Sequence, residues 1–317
     1  MRKKTAMDTI QNHKHTRKTS LPGHLAAIAA VATWGYSFVS SKVLLDHGLG
    51  PVQIYVLRFL MAYVLVLLYS HKRLFAHSMR EEALMAICGI TSGSLYFIAE
   101  NTALNYTLAT NVSLLTSLSP LITAIMVSLL YKSEHLGIGT WIGSLLALAG
   151  VVCVVFNSST NFEVRPLGDI LSVAAAFSWA VYSLVLRRIN AAYDVWFITR
   201  KTFFYGLITA IPFLAFETTD TSLTVALSSG EVIGNLLFLG VGASLVGYLM
   251  WAYSVRRLGA VRANNYMYFQ SIITMIVAAV VLGEPITLLG CTGIVLIVGG
   301  LWVGDNISNI IGRKSGG

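Results

Sequence analysis

Apolar blocks about as long as a membrane is thick divide this chain, and that one feature decides most of what it can fold into. A helix needs about 20 mostly apolar residues to cross the hydrocarbon core. Ten blocks meet that length, at 24–44, 52–70, 83–103, 109–130, 136–156, 168–187, 195–216, 233–254, 263–282 and 286–304. The expected fold is therefore an all-α polytopic membrane protein with ten transmembrane helices. Loops are shortest between the third and fourth blocks and between the ninth and tenth.

Composition agrees. The 317 residues are 56% hydrophobic and 11% charged, where a soluble domain carries about 25% charged residues. The net charge of +8 would suggest nucleic acid in a soluble protein. Here the basic residues stand between apolar blocks, and no reading module is present, so no nucleic-acid partner is expected. The three cysteines, Cys88, Cys153 and Cys291, each lie inside an apolar block. Their odd number and the lack of a CxxC suggest neither a disulfide frame nor a zinc site. Residues 1–22 read as a basic, disordered cytoplasmic tail. The block after them runs to Lys42 without a cleavage site, which reads as a retained anchor.

Charge sets the orientation. With the N-terminus inside, the cytoplasmic segments hold seventeen of the 22 basic residues, and the external loops hold only Arg165. Residues 217–231 carry Glu217, Asp220 and Glu231 with no Lys or Arg. This is the positive-inside bias of a multi-pass protein of the inner (plasma) membrane, with both termini and residues 71–82 cytoplasmic.

The two halves resemble each other. Trp34-Gly35 matches Trp179-Ala180, and Lys42 matches Arg187 at the same offset. Glu134, Gly143 and Gly150 match Glu284, Gly293 and Gly300, each 150 residues on, and Arg58 matches Lys201. A repeat of five spans enters the membrane upside down the second time. Inverted repeats supply two related conformations with a site at the midplane between them. Retention of an old duplication for packing is the plainer alternative.

The residues that carry a family resemblance are WGYSF at 34–38, Arg58-Phe59, ALNYTLATNVSLLTSLSPLITAI at 103–125, E-x8-G-x6-G at Glu134 and again at Glu284, and LGD-x9-WAVYS at 167–183. In their order and number they resemble the EamA-type transporters of the drug/metabolite transporter superfamily. The resemblance implies two inverted five-helix repeats, at 23–157 and 165–304, a cytoplasmic tail at 305–317, a central cavity, and export of small metabolites or drugs. Pro120 departs from the pattern, because the matching position near Gln270 or Ser271 is not proline.

Candidate functional residues follow from what lipid makes expensive. A charge at the middle of a span costs about 2.5–3.5 kcal/mol on insertion scales, so it faces partners or water. Glu100 and Arg58 both lie within spans, where they suit a proton- or substrate-binding carboxylate and a basic gate. The plainer alternatives are a helix-end carboxylate in external water and an arginine snorkelling to headgroups. Tyr96 stands four residues before Glu100 and shares its face. Tyr248 and Trp251 occupy the related part of the eighth span. Asn264, Asn265, Tyr266 and Gln270 enrich the start of the ninth, and Asn111, Ser113, Thr116, Ser117 and Ser119 the fourth. They line a pathway or hydrogen-bond between helices. Trp34 and Trp179 wall a cavity or pack. Gly139, Gly143, Gly300 and Gly304 have the small-xxx-small spacing of close helix packing. Glu134 and Glu284 are expected to cap the N-termini of the fifth and tenth spans.

No HExxH, GxSxG or P-loop occurs, and no cofactor or metal is expected. The expected function is a secondary transporter, exporting small metabolites such as amino acids, their derivatives or drugs by alternating access. Membrane lipid, a small-molecule substrate and a coupling proton are its expected partners. The alternatives are a membrane enzyme acting on lipid and a membrane interaction protein that transports nothing.

Overall fold

The computed structural model describes residues 21–130, 137–157, 166–217, 223–284, 286 and 288–314. Every regular element among them is helical: α1 Leu21–Asp46, α2 Pro51–Tyr69, α3 Met79–Tyr106, α4 Ala109–Leu130, α5 Ile138–Asn157, α6 Pro166–Ile189, α7 Val195–Ala210, α8 Gly230–Leu258, α9 Ala260–Val281 and α10 Leu288–Lys314. A single helical turn, Leu223–Ala226, lies between α7 and α8.

Seven of them, α1, α2, α3, α4, α6, α8 and α9, are long and apolar enough to cross a membrane. Among the described residues the other three expected spans do not reach that measure: α5 and α10 contribute the shorter apolar stretches Trp141–Gly150 and Leu288–Gly304. In α7 the α-helix stops at Ala210 and a 3-10 segment, Ile211–Phe216, continues it. Pro212 lies in that segment and has no N–H to give the α-helical ladder.

Boundaries move where side chains decide them. The third helix starts at Met79 rather than 83, because the Ser78 hydroxyl accepts from the Glu81 backbone N–H, an N-cap. Asp194 caps α7 in the same way through the Trp196 N–H, at 3.0 Å. Gly259, at φ +85°, separates α8 from α9 in a single residue, a backbone state that glycine adopts freely. Beyond the expected end at 304, α10 continues to Lys314.

Four helices depart from the regular α-form. In α3, Ile90–Ser94 is π-helical, as is Phe238–Val246 in α8. A turn at Ser117-Leu118 breaks α4, and a break at Tyr266 divides α9. Such irregularities free backbone carbonyls and collect at functional sites.

The halves pack by exchange. α1 lies against α8 and α9 while α6 lies against α3 and α4; α2 meets the π segment of α8 while α7 meets that of α3; α5 packs on α10. A Cβ on Gly143 would stand 2.5 Å from the Gly300 carbonyl oxygen, and one on Gly150 2.5 Å from that of Gly293. The expected glycine seam is therefore a contact of backbone on backbone. Gly89 closes on the Thr202 carbonyl and Tyr205, and Gly240 on the Arg58 carbonyl and Met61. These like contacts align Arg58 with Thr202, not with Lys201 as its charge suggested. One residue is a turn of about 100° on a helix, so Arg58 and Lys201 point to different places.

Large apolar side chains such as Leu68, Phe177, Val280 and Trp302 face outward. The core is aromatic and lies between the halves, around Trp34, Trp179, Tyr248 and Trp251.

Candidate functional site

Trp34 of α1 and Trp179 of α6 meet edge to face at 5.0 Å. Trp251 stands 5.2 Å from Trp34 and 5.7 Å from Trp179, and Tyr96 stands 5.2 Å from Trp179. Polar bonds tie this cluster to the irregular helices. The Trp34 indole N–H donates to the Ala243 carbonyl in the π segment of α8, at 2.9 Å. From α6, Ser178 Oγ donates to the Thr91 carbonyl in the π segment of α3, at 2.6 Å. The Tyr248 hydroxyl donates to the Ser92 carbonyl in the same segment. The π turns offer these acceptors because their carbonyls are out of register with the α-ladder.

A cavity opens beside the tryptophans. Its walls come from both halves: Trp34, Ser37 and Phe38 of α1, Tyr96, Phe97 and Glu100 of α3, Trp179 of α6, Met267 and Gln270 of α9. It is closed down to roughly the space of one water molecule, so anything larger enters only when the helices move.

Glu100 is 1% exposed. It does not end a helix in bulk water; it sits inside α3 and faces the cavity. Tyr96 stands one turn earlier on the same cavity, and Glu100 Oε1 has no partner. Two buried donors on the same cavity, Trp179 Nε1 and Gln270 Nε2, also lack partners. Unpaired buried polar atoms carry a desolvation penalty of about 1–3 kcal/mol each.

Arg58 does not snorkel. It is fully buried in α2, its Nε donates to Ser244 Oγ at 2.9 Å, and its guanidinium lies 4.6 Å from the centre of the Phe97 ring. It stays off the cavity wall and meets it through Phe97. Arg58 and Glu100 form no ion pair, and both Nη atoms of Arg58 are without partners.

The other candidates fall elsewhere. Tyr248 and Trp251 back the tryptophan wall without lining it. Asn264 donates to the Ala260 carbonyl at 2.8 Å and lies 3.4 Å from Ser183 Oγ. Asn265 is half-buried, and the Tyr266 hydroxyl meets His24 Nδ1 at 2.5 Å. Two α4 hydroxyls join helices: Ser117 Oγ lies 2.6 Å from Ser271 Oγ, and Ser119 Oγ donates to the Ala176 carbonyl. Ser37 and Phe38, inside WGYSF, also line the cavity, as do Phe97 and Met267. Phe97 and Met267 carry no signal in the sequence, because apolar residues are equally at home in core and lipid.

Two clasps between the halves close the bundle at its ends. At one end Lys201 of α7 pairs with Glu82 of α3. The Tyr205 hydroxyl and the Ala76 N–H also donate to Glu82, at 2.5 and 2.6 Å. Lys201 reaches the Leu74 carbonyl, and Arg200 donates to those of Ser70 and Arg73. At the other end, Glu217 accepts from the N–H groups of Val52 and Gln53 at the start of α2, at 2.6 and 2.8 Å. Glu284 reaches the start of α4, where the Thr110 hydroxyl donates to it. A carboxylate suits any helix N-terminus within reach. Glu134 lies outside the described residues.

Known proteins share this architecture. A solved crystal structure superposes with a TM-score of 0.69 at 19% identity, over 89% of this chain and 98% of that one. A transporter of Archaeoglobus fulgidus, itself uncharacterized, is 27% identical over 88% of this chain and 96% of its own length. A protein of Escherichia coli named a probable amino-acid metabolite efflux pump is 27% identical over 91% of this chain and 96% of its own. The model of the EamA-like transporter family matches residues 21–156 and again 166–303. With apolar helices of spanning length, a shared fold and a family model matched twice, this multi-pass membrane protein belongs to the EamA-like transporter family.

Proposed function

We propose that the chain is a secondary transporter that exports small metabolites, such as amino acids and their derivatives, by alternating access through the cavity between its halves. One observation carries this reading: a buried cavity walled by both halves holds a carboxylate, Glu100, with an oxygen that nothing in the protein satisfies. The name of the Escherichia coli relative supports the substrate class.

Alternating access needs two related halves. The exchanged contacts support ten spans in two inverted repeats. In a two-fold arrangement residue i of one half meets j of the other, and j meets i. Gly143 on Gly300 and Gly150 on Gly293 have that form with the offset of 150. So do Trp34 reaching the π segment of α8 and Ser178 reaching that of α3. The positive-inside bias places both termini and residues 71–82 in the cytoplasm and 217–231 outside. On that orientation the Lys201–Glu82 clasp closes the cytoplasmic end, while Glu217 and Glu284 close the outer end.

Glu100 is the group that binds a proton or a substrate ammonium in turn. Proteoliposomes loaded with a mixture of α-amino acids test the function. Wild-type protein should release at least one of them faster than protein-free vesicles, and the rate should depend on a pH gradient. Equal release with and without protein would remove the transport reading. A cysteine replacing exposed Lys72 should react with an impermeant thiol reagent only from the cytoplasmic face; reaction from outside would invert the map.

A further inference from the structure

We propose that Arg58 and Glu100 hold opposite ends of one ligand, a small zwitterion whose ammonium group goes to Glu100 and whose carboxylate goes to Arg58. The proposal deepens the transport reading and rests on it for the movement of the ligand, but not for its binding.

Two opposite charges are buried within one aromatic cluster and do not pair. Arg58 is 0% exposed and Glu100 1%. Ser244 takes only the Nε of Arg58, leaving Nη1 and Nη2 unpartnered, and Oε1 of Glu100 is unpartnered too. Taking an ion out of water costs several kcal/mol, and no direct ion pair between Arg58 and Glu100 repays it. Stacking on Phe97 at 4.6 Å and Phe59 at 5.6 Å offsets part of it for the guanidinium. It offers the Nη edge no acceptor. Where a fold needs a buried charge for its own support it supplies the partner, as Glu82 and the Leu74 carbonyl do for Lys201. Around Arg58 it does not.

The unfilled valences specify what completes them. Oε1 of Glu100 needs a donor, and the two Nη atoms need an acceptor with two lone-pair faces, which a carboxylate presents in matching geometry. The spare donors Trp179 Nε1 and Gln270 Nε2, both on the cavity, take the remaining acceptor positions of the same ligand. The rings of Trp34, Trp179 and Tyr96 suit an ammonium group and an apolar body. Phe97, between the Arg58 guanidinium and the cavity, is the side chain that must turn for the carboxylate to reach Arg58.

The charges also set a rule of selection. Arg58 and Glu100 sum to zero, so a net-neutral ligand leaves the closed site neutral. An esterified ligand is a net cation and leaves Arg58 uncompensated. An N-acylated one is a net anion and leaves Glu100 uncompensated.

Binding to the purified full chain in nanodiscs tests this directly, with the common α-amino acids, their methyl esters and their N-acetyl forms as probes. The tightest amino acid should bind about tenfold or more tightly than either of its blocked forms, as expected for losing a hydrogen bond to a charged group. Arg58→Gln should erase the preference over the ester and keep the preference over the N-acetyl form. Glu100→Gln should do the reverse. Arg58→Lys, which keeps charge and loses the fork, should retain a weakened preference over the ester. A merely structural role for either residue would lower binding of all three probes together. Binding of the ester or the N-acetyl form as tight as that of the amino acid, or no binding of any amino acid by wild-type protein, overturns the proposal. Selective binding without flux in proteoliposomes would overturn the transport reading and leave this one standing.

Discussion

Buried charges join the two halves at two places, the Lys201–Glu82 clasp and the cavity at Glu100, and the two are finished differently. At the clasp each charge is met: Glu82 accepts from Lys201, Tyr205 and the Ala76 N–H, and Lys201 also donates to a carbonyl. At the cavity, Glu100 Oε1, Trp179 Nε1 and Gln270 Nε2 are unmet, and behind Phe97 so are Arg58 Nη1 and Nη2. Satisfied buried ions hold a structure in one arrangement. Unsatisfied ones mark where the structure is completed by something it does not contain. The first place should therefore respond to mutation in stability, and the second in function.

The largest expected effect is at the clasp. Lys201→Met leaves Glu82 buried without its cation, and breaking a buried pair costs about 3–5 kcal/mol. The variant should show a marked fall in melting temperature and membrane yield. Adding Glu82→Met should recover most of that loss; no recovery would mean that the pair is not what holds the end. Next comes Glu100→Gln, which keeps shape and removes charge. It should insert and melt like wild type while coupled export falls roughly 10- to 100-fold, as for a lost charged hydrogen bond. Wild-type flux and pH dependence, at equal protein in the membrane, would erase the distinction between clasp and cavity. Gly143→Leu sharpens it from another side. Its side chain would collide with the Gly300 carbonyl and with Gly304, and overpacking costs about 1–3 kcal/mol. Thermal stability should drop while the order of substrate preference is unchanged. Trp179→Phe is the smallest. It keeps the aromatic wall and removes one unpaired donor, so stability should hold or rise slightly while affinity falls by a few-fold at most.

Much of this molecule can be read from its sequence, for reasons that differ by region. The apolar blocks locate the helices because lipid demands their length. Glu100 and Tyr96 are recognisable together because a spacing of four puts them on one helical face. Trp34 and Trp179 are recognisable because they recur in order in both halves. The lining residues Phe97 and Met267 are not, since an apolar side chain in an apolar helix looks the same toward lipid, core or cavity. The reach of Glu217 to α2 and of Glu284 to α4 joins residues 165 and 174 positions apart, and no local pattern records it. Charge alone aligned Arg58 with Lys201. The glycines Gly89 and Gly240 fix the register one residue away, and only packing displays that.

Alternating access requires the cavity to open in turn to the two sides of the membrane. A single cysteine at Ser37, on the cavity wall, in a chain whose Cys88, Cys153 and Cys291 are replaced by serine, measures it without knowledge of the substrate. Vesicles of both orientations are treated with a membrane-impermeant thiol reagent, and modification is timed from each face. Under alternating access Ser37→Cys is modified from either face, and a variant with a loosened Lys201–Glu82 end speeds modification from the face bearing that clasp. Modification from one face only, or from neither, would contradict it.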